Sequence, residues 1–599
     1  MIYRRPKLAV SWLSWSIFLL LNSMGVQAVN AQAVEQTQQS NPNPTLPERL
    51  PQPQDIQPSV PAPLPSTQPP QQLPPPSELL EPPSPDINPQ QPVPTDTPQT
   101  ITVERFEVVG STVFSQEELA KATAELTKRP ITLAELFQAR SRITELYVSK
   151  GYITSGAYIP PQTIQSGVIK IQVVEGRLED IQITGNRRLN PNYVRSRLAI
   201  ATQPPLNREK LLEALQLLQL NPLIQNLSAE LSAGSRPGTS ILQVEISEAK
   251  TRSVQLALDN GRSPGVGSFR RRIQATEANL LGLGDSISAG YSNTDGSNSF
   301  DTSYTLPVNA RNGSISFNFG TSSSRVIEEP FNDFGIESSS RYYEISYRQP
   351  LIQSPTQELV IGLTASRRDS EISSSLFESF EDPVPLSLLS PGADENGRTR
   401  ISALRFYQEW TRRNSREVLA LRSQFNLGIG AFNATVNAED PDSRFFSWQG
   451  QAQWARLLAP DTLLILKANT QLASTKLLSL EQFGLGGLDS VRGYRQDYLL
   501  TDNGVFASAQ VQIPILRLPQ ASGLLQVIPF VDLGVGWNTQ RENPDPNALA
   551  AVGLGLRWSS GDRFTARLDW GIPLVSVDSQ ARTWQENGIY FSLIYNYPF

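Results

Sequence analysis

The sequence predicts a mainly β protein whose C-terminal part closes as a transmembrane antiparallel β-barrel of about 16 strands, preceded by two small α+β domains. Three observations carry that prediction. Period-two alternation runs from Thr251 to the C-terminus. A strand–helix–helix–strand–strand order occurs twice between residues 100 and 250. The N-terminus has export chemistry, and no later apolar run is long enough for a spanning helix.

Arg4, Arg5 and Lys7 form a positive n-region, and Leu8 to Leu21 is apolar apart from three serines. Small-residue exits follow at Val26-Gln27-Ala28 or Val29-Asn30-Ala31, so residues 1–28 read as a secretory signal. The alternative is an uncleaved anchoring helix, but the run falls short of the ~20 apolar residues such a helix needs. With no other candidate helix downstream, a closed barrel is the remaining way to satisfy the backbone in lipid.

Residues 29–99 are expected to be a disordered periplasmic spacer. Asn41 to Pro98 holds 21 of the 47 prolines, interleaved with Gln, Ser and Thr, and buries too little apolar surface to offset its ordering entropy. A proline-recognition ligand is the sharper alternative for the same stretch.

Residues 100–176 form the first expected domain. Ile101 to Gly110 alternates like a strand, Ser115 and Glu118 make a capping box, and a second helix spans Thr132 to Lys150 and ends at Gly151. Strands near Ser155–Ile159 and Gly167–Glu175 complete it. Residues 177–250 repeat the order, with a strand at Leu178–Gly185, helices at Asn192–Ala199 and Asn207–Leu220, and strands at Leu227–Ala233 and Ser240–Ser247. Each unit is expected to lay a helix pair on a three-stranded sheet.

Residues 251–599 form the expected barrel. Ile315, Phe317 and Phe319 alternate with polar residues, as do Tyr343, Ile345 and Tyr347, and Phe564, Ala566, Leu568, Trp570 and Ile572. A soluble sandwich would alternate too. Repeated charge on the polar face, an even strand count, and tight turns (Leu458-Ala459-Pro460, Ser559-Ser560-Gly561) alternating with long connections near 370–397 and 475–500 favour a barrel with a wet lumen. Phe591, Leu593, Tyr595, Tyr597 and Phe599 form an outward stripe ending on a terminal aromatic, the expected barrel-assembly signal.

Composition narrows the function. There is no cysteine and no histidine, which removes the commonest general base, the histidine-dependent triads and most zinc sites. The net charge of −6 gives no reason to expect nucleic acid. Gly484-Leu485-Gly486-Gly487-Leu488 lacks the lysine of a phosphate-binding loop and reads as a flexible hinge. No enzyme activity, metal or cofactor is expected.

Three stretches carry a family resemblance. Val174-Glu175-Gly176-Arg177, Gly185-Asn186-Arg187 and Pro205-Leu206-Asn207 resemble the second periplasmic domain of two-partner secretion outer-membrane transporters. These are the TpsB, or haemolysin-activator, type, in the superfamily that joins polypeptide-transport-associated (POTRA) domains to a barrel. Val491-Arg492-Gly493-Tyr494 resembles that superfamily's sixth-outer-loop signature, and Phe530-Val531-Asp532-Leu533-Gly534 the strand motif that partners it. The resemblance spans about residues 100 to 599.

The residues themselves give the pair a chemistry. Arg492 lies in the long loop after the eleventh strand and carries a planar fork suited to a bidentate carboxylate. Asp532, flanked by outward Val531 and Leu533 on the thirteenth strand, points into the lumen, and Gly493 permits a tight turn. A loop folded inside the barrel could be locked to the wall by this pair; the alternative is a solvated arginine and a pore-lining aspartate. In a partly wet lumen, breaking the pair is expected to cost about 1–3 kcal/mol.

The resemblance implies ATP-independent translocation of an unfolded exoprotein with an N-terminal secretion domain. That exoprotein would be large and β-helical, and would be received by β-augmentation on a sheet edge. The implied partners are that exoprotein, the outer-membrane bilayer, and periplasmic chaperones with the barrel-assembly machinery during biogenesis; the chain is expected to act as a monomer. The family's transporters also carry a plug helix through the barrel, whereas here Ala31 to Gln39 has room for two turns. A barrel-assembly insertase of the same superfamily, or a passive porin, are the competing functions; the first usually carries more periplasmic domains, and the second needs neither the paired domains nor the lock.

Overall fold

The computed structural model describes residues 79–81, 100–164, 166–380, 384–577 and 582–599. The expected signal peptide, most of the spacer and the Ala31–Gln39 segment lie outside the described residues.

Sixteen antiparallel strands close into a barrel, from the first (Arg252–Asp259) to the sixteenth (Ile589–Pro598). Those two pair from Ser253↔Pro598 to Asp259↔Ser592, so the sheet has no free edge for lipid to meet. Alternation does the sorting. On the fifteenth strand (Phe564–Pro573) Leu568, Trp570 and Ile572 are exposed to the outside, while Asp569 and Gly571 are buried on the inner face. The strands reach 18 residues, well past the ~9–11 needed to cross a bilayer.

In the first small domain, Arg105–Val109, Val168–Val174 and Gly156–Tyr158 form a three-stranded sheet. The helices Gln116–Thr123 and Leu133–Ser149 cover it, each opened by a full capping box (Ser115 with Glu118, Thr132 with Glu135). The strand expected over Ile101–Gly110 breaks at Glu104, whose N–H turns to the Gly167 carbonyl (2.8 Å). The freed piece, Ile101–Val103, pairs instead with Arg129–Ile131, a short strand hidden in the sequence by Pro130.

The second small domain repeats the plan with helices Pro191–Ala201 and Arg208–Gln219. One joint is common to both. Gly110 (φ +86°) and Gly185 (φ +78°) end the opening strands against the backbones of Val173 and Ile246. Two residues beyond those contacts, Glu175 and Glu248 take the next backbone N–H groups. Glu175 accepts from Thr112 (2.6 Å) and Val113 (3.2 Å), Glu248 from Arg187, Arg188 and Leu189 (2.5, 2.9 and 2.9 Å).

The second sheet has four strands, not three. Leu80–Glu81 lies parallel to Ala229–Glu230 on the edge of Ile224–Ala233, and Leu79 and Leu80 are buried in the domain's core. The spacer reading is therefore corrected at residues 79–81: a pair of leucines supplies enough apolar area to dock a segment that its proline neighbours could not.

Candidate functional site

The twelfth (Asn503–Leu518) and thirteenth (Gly523–Trp537) strands build the wall of the site. Their register sets Ser508 opposite Asp532 and Gln510 opposite Phe530, with Val531 and Leu533 exposed outward. Residues 474–502 connect the eleventh strand (Thr462–Ala473) to the twelfth and fold back against this wall.

Arg492 meets Asp532 as a fork. Its Nε donates to one carboxylate oxygen (2.7 Å) and its Nη2 to the other (2.9 Å), and the Arg492 N–H adds a third bond (3.2 Å). The Phe530 ring lies 3.4 Å from the guanidinium carbon. Gln510 accepts from Nη1 (3.3 Å), and the Ser508 hydroxyl donates to Asp532 (2.6 Å). Arg492 is 4% exposed and Asp532 0%. The pair is dry, which corrects the modest cost expected for a wet lumen: removing one partner strands a buried charge, at ~3–5 kcal/mol.

The neighbours of Arg492 seat the tip. Val491 is buried with Leu485, Tyr494 and Phe506. A Cβ on Gly534 would stand 2.9 Å from the Val491 side chain, so the wall is hollowed there for the loop. The Tyr494 hydroxyl donates to the Ala550 carbonyl (2.7 Å) and accepts from the Val575 N–H (3.2 Å). Gly493 has φ +104°, and its N–H donates to the Tyr590 hydroxyl (3.0 Å), which itself donates to the Tyr494 carbonyl.

Sequence reasoning missed several of these groups. Tyr590 belongs to the terminal strand, on the face opposite its aromatic stripe. Asp569, 3.8 Å from Arg492, and Gly571, whose added Cβ would meet the Gly493 nitrogen at 2.7 Å, alternate with outward Leu568, Trp570 and Ile572, which sets their face but not their contact with the loop. Alternation reports facing; it carries no information about which loop lies opposite. The hinge reading of Gly484–Leu488 is corrected at Gly484 and Leu485, because Phe483–Leu485 pairs with Leu499–Thr501 as a short ribbon.

The expected assembly stripe lies on the outside of the closing strand. Leu593, Tyr595, Tyr597 and Phe599 are exposed, Phe591 is half-buried against Phe269 and Trp584, and Tyr597 stacks on Phe599. The Phe599 N–H donates to the Arg252 carbonyl (2.9 Å), so the last residue still bonds to the first strand.

A domain of this layering ahead of a 16-stranded barrel with a loop pinned inside it can be compared with known proteins. Residues 101–176 match the family described as "POTRA domain, ShlB-type". Residues 238–376 and 395–558 match "Haemolysin secretion/activation protein ShlB/FhaC/HecB". The chain belongs to this haemolysin secretion/activation family. It is an outer-membrane barrel protein with its POTRA region in the periplasm.

Relatives of this ShlB/FhaC/HecB family member include the outer membrane transporter CdiB of Escherichia coli O6:K15:H31 (strain 536 / UPEC). It is 24% identical over 492 residues, covering 80% of this chain and 79% of that protein. The heme/hemopexin transporter protein HuxB of Haemophilus influenzae (strain 86-028NP) is 22% identical over 479 residues, covering 76% and 80%. The solved structure of CdiB from Escherichia coli has a TM-score of 0.63 at 20% identity, covering 86% of this chain and 93% of that one. At that identity it speaks to the fold alone. Both of these curated relatives are named as transporters.

Proposed function

We propose that the chain translocates an unfolded exoprotein carrying an N-terminal secretion domain across the outer membrane. The observation that carries this reading is the Arg492–Asp532 pair inside a barrel of the secretion family: a long loop is folded into the lumen and pinned to the wall by a forked bond. Residues 100–176 and 177–250 serve as two periplasmic receiving domains, and 251–599 as the pore. The family description and the transporter names of the relatives support a protein cargo.

Receipt is by β-augmentation. The Ile224–Ala233 edge is capped by Leu80–Glu81 at Ala229 and Glu230, which leaves, among the described residues, the Arg177–Thr184 edge of that sheet and both edges of the first domain's sheet, Arg105–Val109 and Gly156–Tyr158. Net movement needs no nucleotide, because cargo that folds outside cannot return, a mass-action pull. The loop must leave its seat or relax for a chain to pass. Periplasmic chaperones and the barrel-assembly machinery act in biogenesis, and the chain works as a monomer.

Deleting the gene tests the reading against an insertase of the same superfamily. The expected result is loss of one or a few large surface or released proteins while other barrels insert normally. A general collapse of outer-membrane barrels would overturn it.

A further inference from the structure

The lumen contains a second buried ion cluster, remote from Arg492 in the loop's path. Glu481 closes a single turn (Ser479–Glu481) at the start of the 474–502 loop. Its carboxylate receives both Nη groups of Arg405, at 2.6 and 2.9 Å, and one from Arg368 at 3.2 Å. Arg405 is on the eighth strand (Arg398–Arg413) and Arg368 on the seventh (Gln357–Ser374). Arg405 and Glu481 are 7% and 6% exposed. The wall here is cationic and the loop anionic, the reverse of the Arg492 contact.

Further bonds hold the same end of the loop. Gln471, on the eleventh strand, donates to the carbonyls of Glu481 (2.9 Å) and Asp502 (3.1 Å). It ends an amide row in which Gln449 donates to Gln471 (2.6 Å) and Gln424 to Gln449 (3.2 Å). Asp502, 0% exposed, accepts from the Leu477 N–H (2.9 Å) and from Arg541 (2.6 Å). From this base the Phe483–Leu485/Leu499–Thr501 ribbon runs toward the tip. A polar cavity of about 410 Å³ lies between the loop and the wall, lined among others by Arg368, Arg405, Gln471, Glu481, Asp489 and Gln496.

We infer that Glu481, held by Arg405 and Arg368, is a positioning residue for translocation: the fulcrum about which the loop swings when its Arg492 tip leaves the wall. The inference rests on the proposed secretion reading. Chain connectivity already ties the loop's two ends to the eleventh and twelfth strands, so the tip is the part free to travel. Glu481 adds a tie from the ascending limb to the seventh and eighth strands. It thereby fixes the line along which a stiff ribbon can move and keeps the cavity beside it open. A buried carboxylate forked by Arg405 is suited to this, because leaving would strand charge on both members of that pair.

The test uses the full-length protein, with secretion measured in cells and ion conductance measured on the purified protein in planar bilayers. Glu481→Gln should cut secretion by up to about a hundredfold, the scale on which a misplacement of about 1 Å acts in catalysis. It should also convert uniform conductance steps into variable ones. Glu481→Gln leaves Arg405 without its carboxylate, while Arg368 keeps Glu344 at 3.6 Å, so it is paired with the double variant Glu481→Gln/Arg405→Gln, which removes that charge. The double variant should show the parental heat-modifiable barrel migration on gels while secretion stays low and conductance stays variable. Recovery of secretion together with barrel stability would overturn the inference, leaving Glu481 a structural group. So would parental conductance and secretion in an inserted Glu481→Gln protein. Conductance needs no cargo, so a failure of the secretion reading would leave that arm decisive.

Discussion

Arg492 and Asp532, 40 residues apart in sequence, meet through a two-pronged bond of 2.7 and 2.9 Å beneath the Phe530 ring, sealed from solvent inside the barrel. The contact joins the loop folded into the lumen to its wall. Its strength comes from geometry as much as charge: both carboxylate oxygens are engaged, and Ser508 and Gln510 occupy the remaining polar sites.

Close packing of the tip makes Gly571 a sensitive position. A Cβ there would press on the Gly493 nitrogen at 2.7 Å and the Arg492 carbonyl carbon at 2.8 Å, both backbone atoms with little room to give. Gly571→Ala should lift the tip from its seat and raise bilayer conductance while the barrel still inserts. Unchanged conductance would place the loop elsewhere in the membrane.

The closing strand is expected to govern assembly. Tyr595 is outward, pairing with Leu256 of the first strand and Phe564 of the fifteenth. Deleting Phe599, or Tyr595→Glu, should sharply lower the amount of heat-modifiable barrel in outer-membrane fractions. Normal levels of inserted protein would remove the stripe as an assembly signal.

Residues 79–81 divide the spacer into two kinds of sequence. Removing residues 41–77 should leave folding and secretion largely intact. Leu79→Ala combined with Leu80→Ala should cost the second domain about 2–5 kcal/mol per core leucine, seen as faster proteolysis within residues 177–250 of the full chain. Equal protease resistance would show that the leucines do not dock.

Glu175 makes the first domain sensitive to acid. Burial raises its carboxyl, but bonds from the Thr112 hydroxyl and N–H, the Tyr147 hydroxyl and the Val113 N–H outweigh that and hold it below the usual range. A lowered folded value means the carboxylate's contribution is fully present above the ordinary Glu range and is lost as pH falls through the folded value. Thermal unfolding of this domain should therefore move to lower temperature on acidification. Glu175→Gln should be destabilised at neutral pH and show less of that dependence. A parental pH profile in Glu175→Gln would contradict the assignment.

The sequence was informative where physics is periodic. Val531, Asp532 and Leu533 alternate, so the lumenal position of Asp532 followed without any structure, and Gly151 and Glu118 marked a helix end and a helix start through local backbone chemistry. The contacts of Glu481 with Arg405 and Arg368 were not legible, because a loop crossing a lumen has no period and its partners lie 76 and 113 residues away. Leu79-Leu80 was hidden differently: two docking residues within a proline-rich stretch barely alter its composition, although an adjacent leucine pair among prolines is itself a signal.

A double-mutant cycle on secretion tests the central claim most directly. Arg492→Ala and Asp532→Ala should each reduce release of the exoprotein strongly with the barrel inserted. The double mutant should be little worse than either, a coupling of roughly 0.5–3 kcal/mol. Arg492→Lys should rescue poorly, since lysine keeps the charge and loses the fork. Strictly additive defects, or full secretion by Arg492→Ala, would show that the loop tip and the thirteenth strand do not act together.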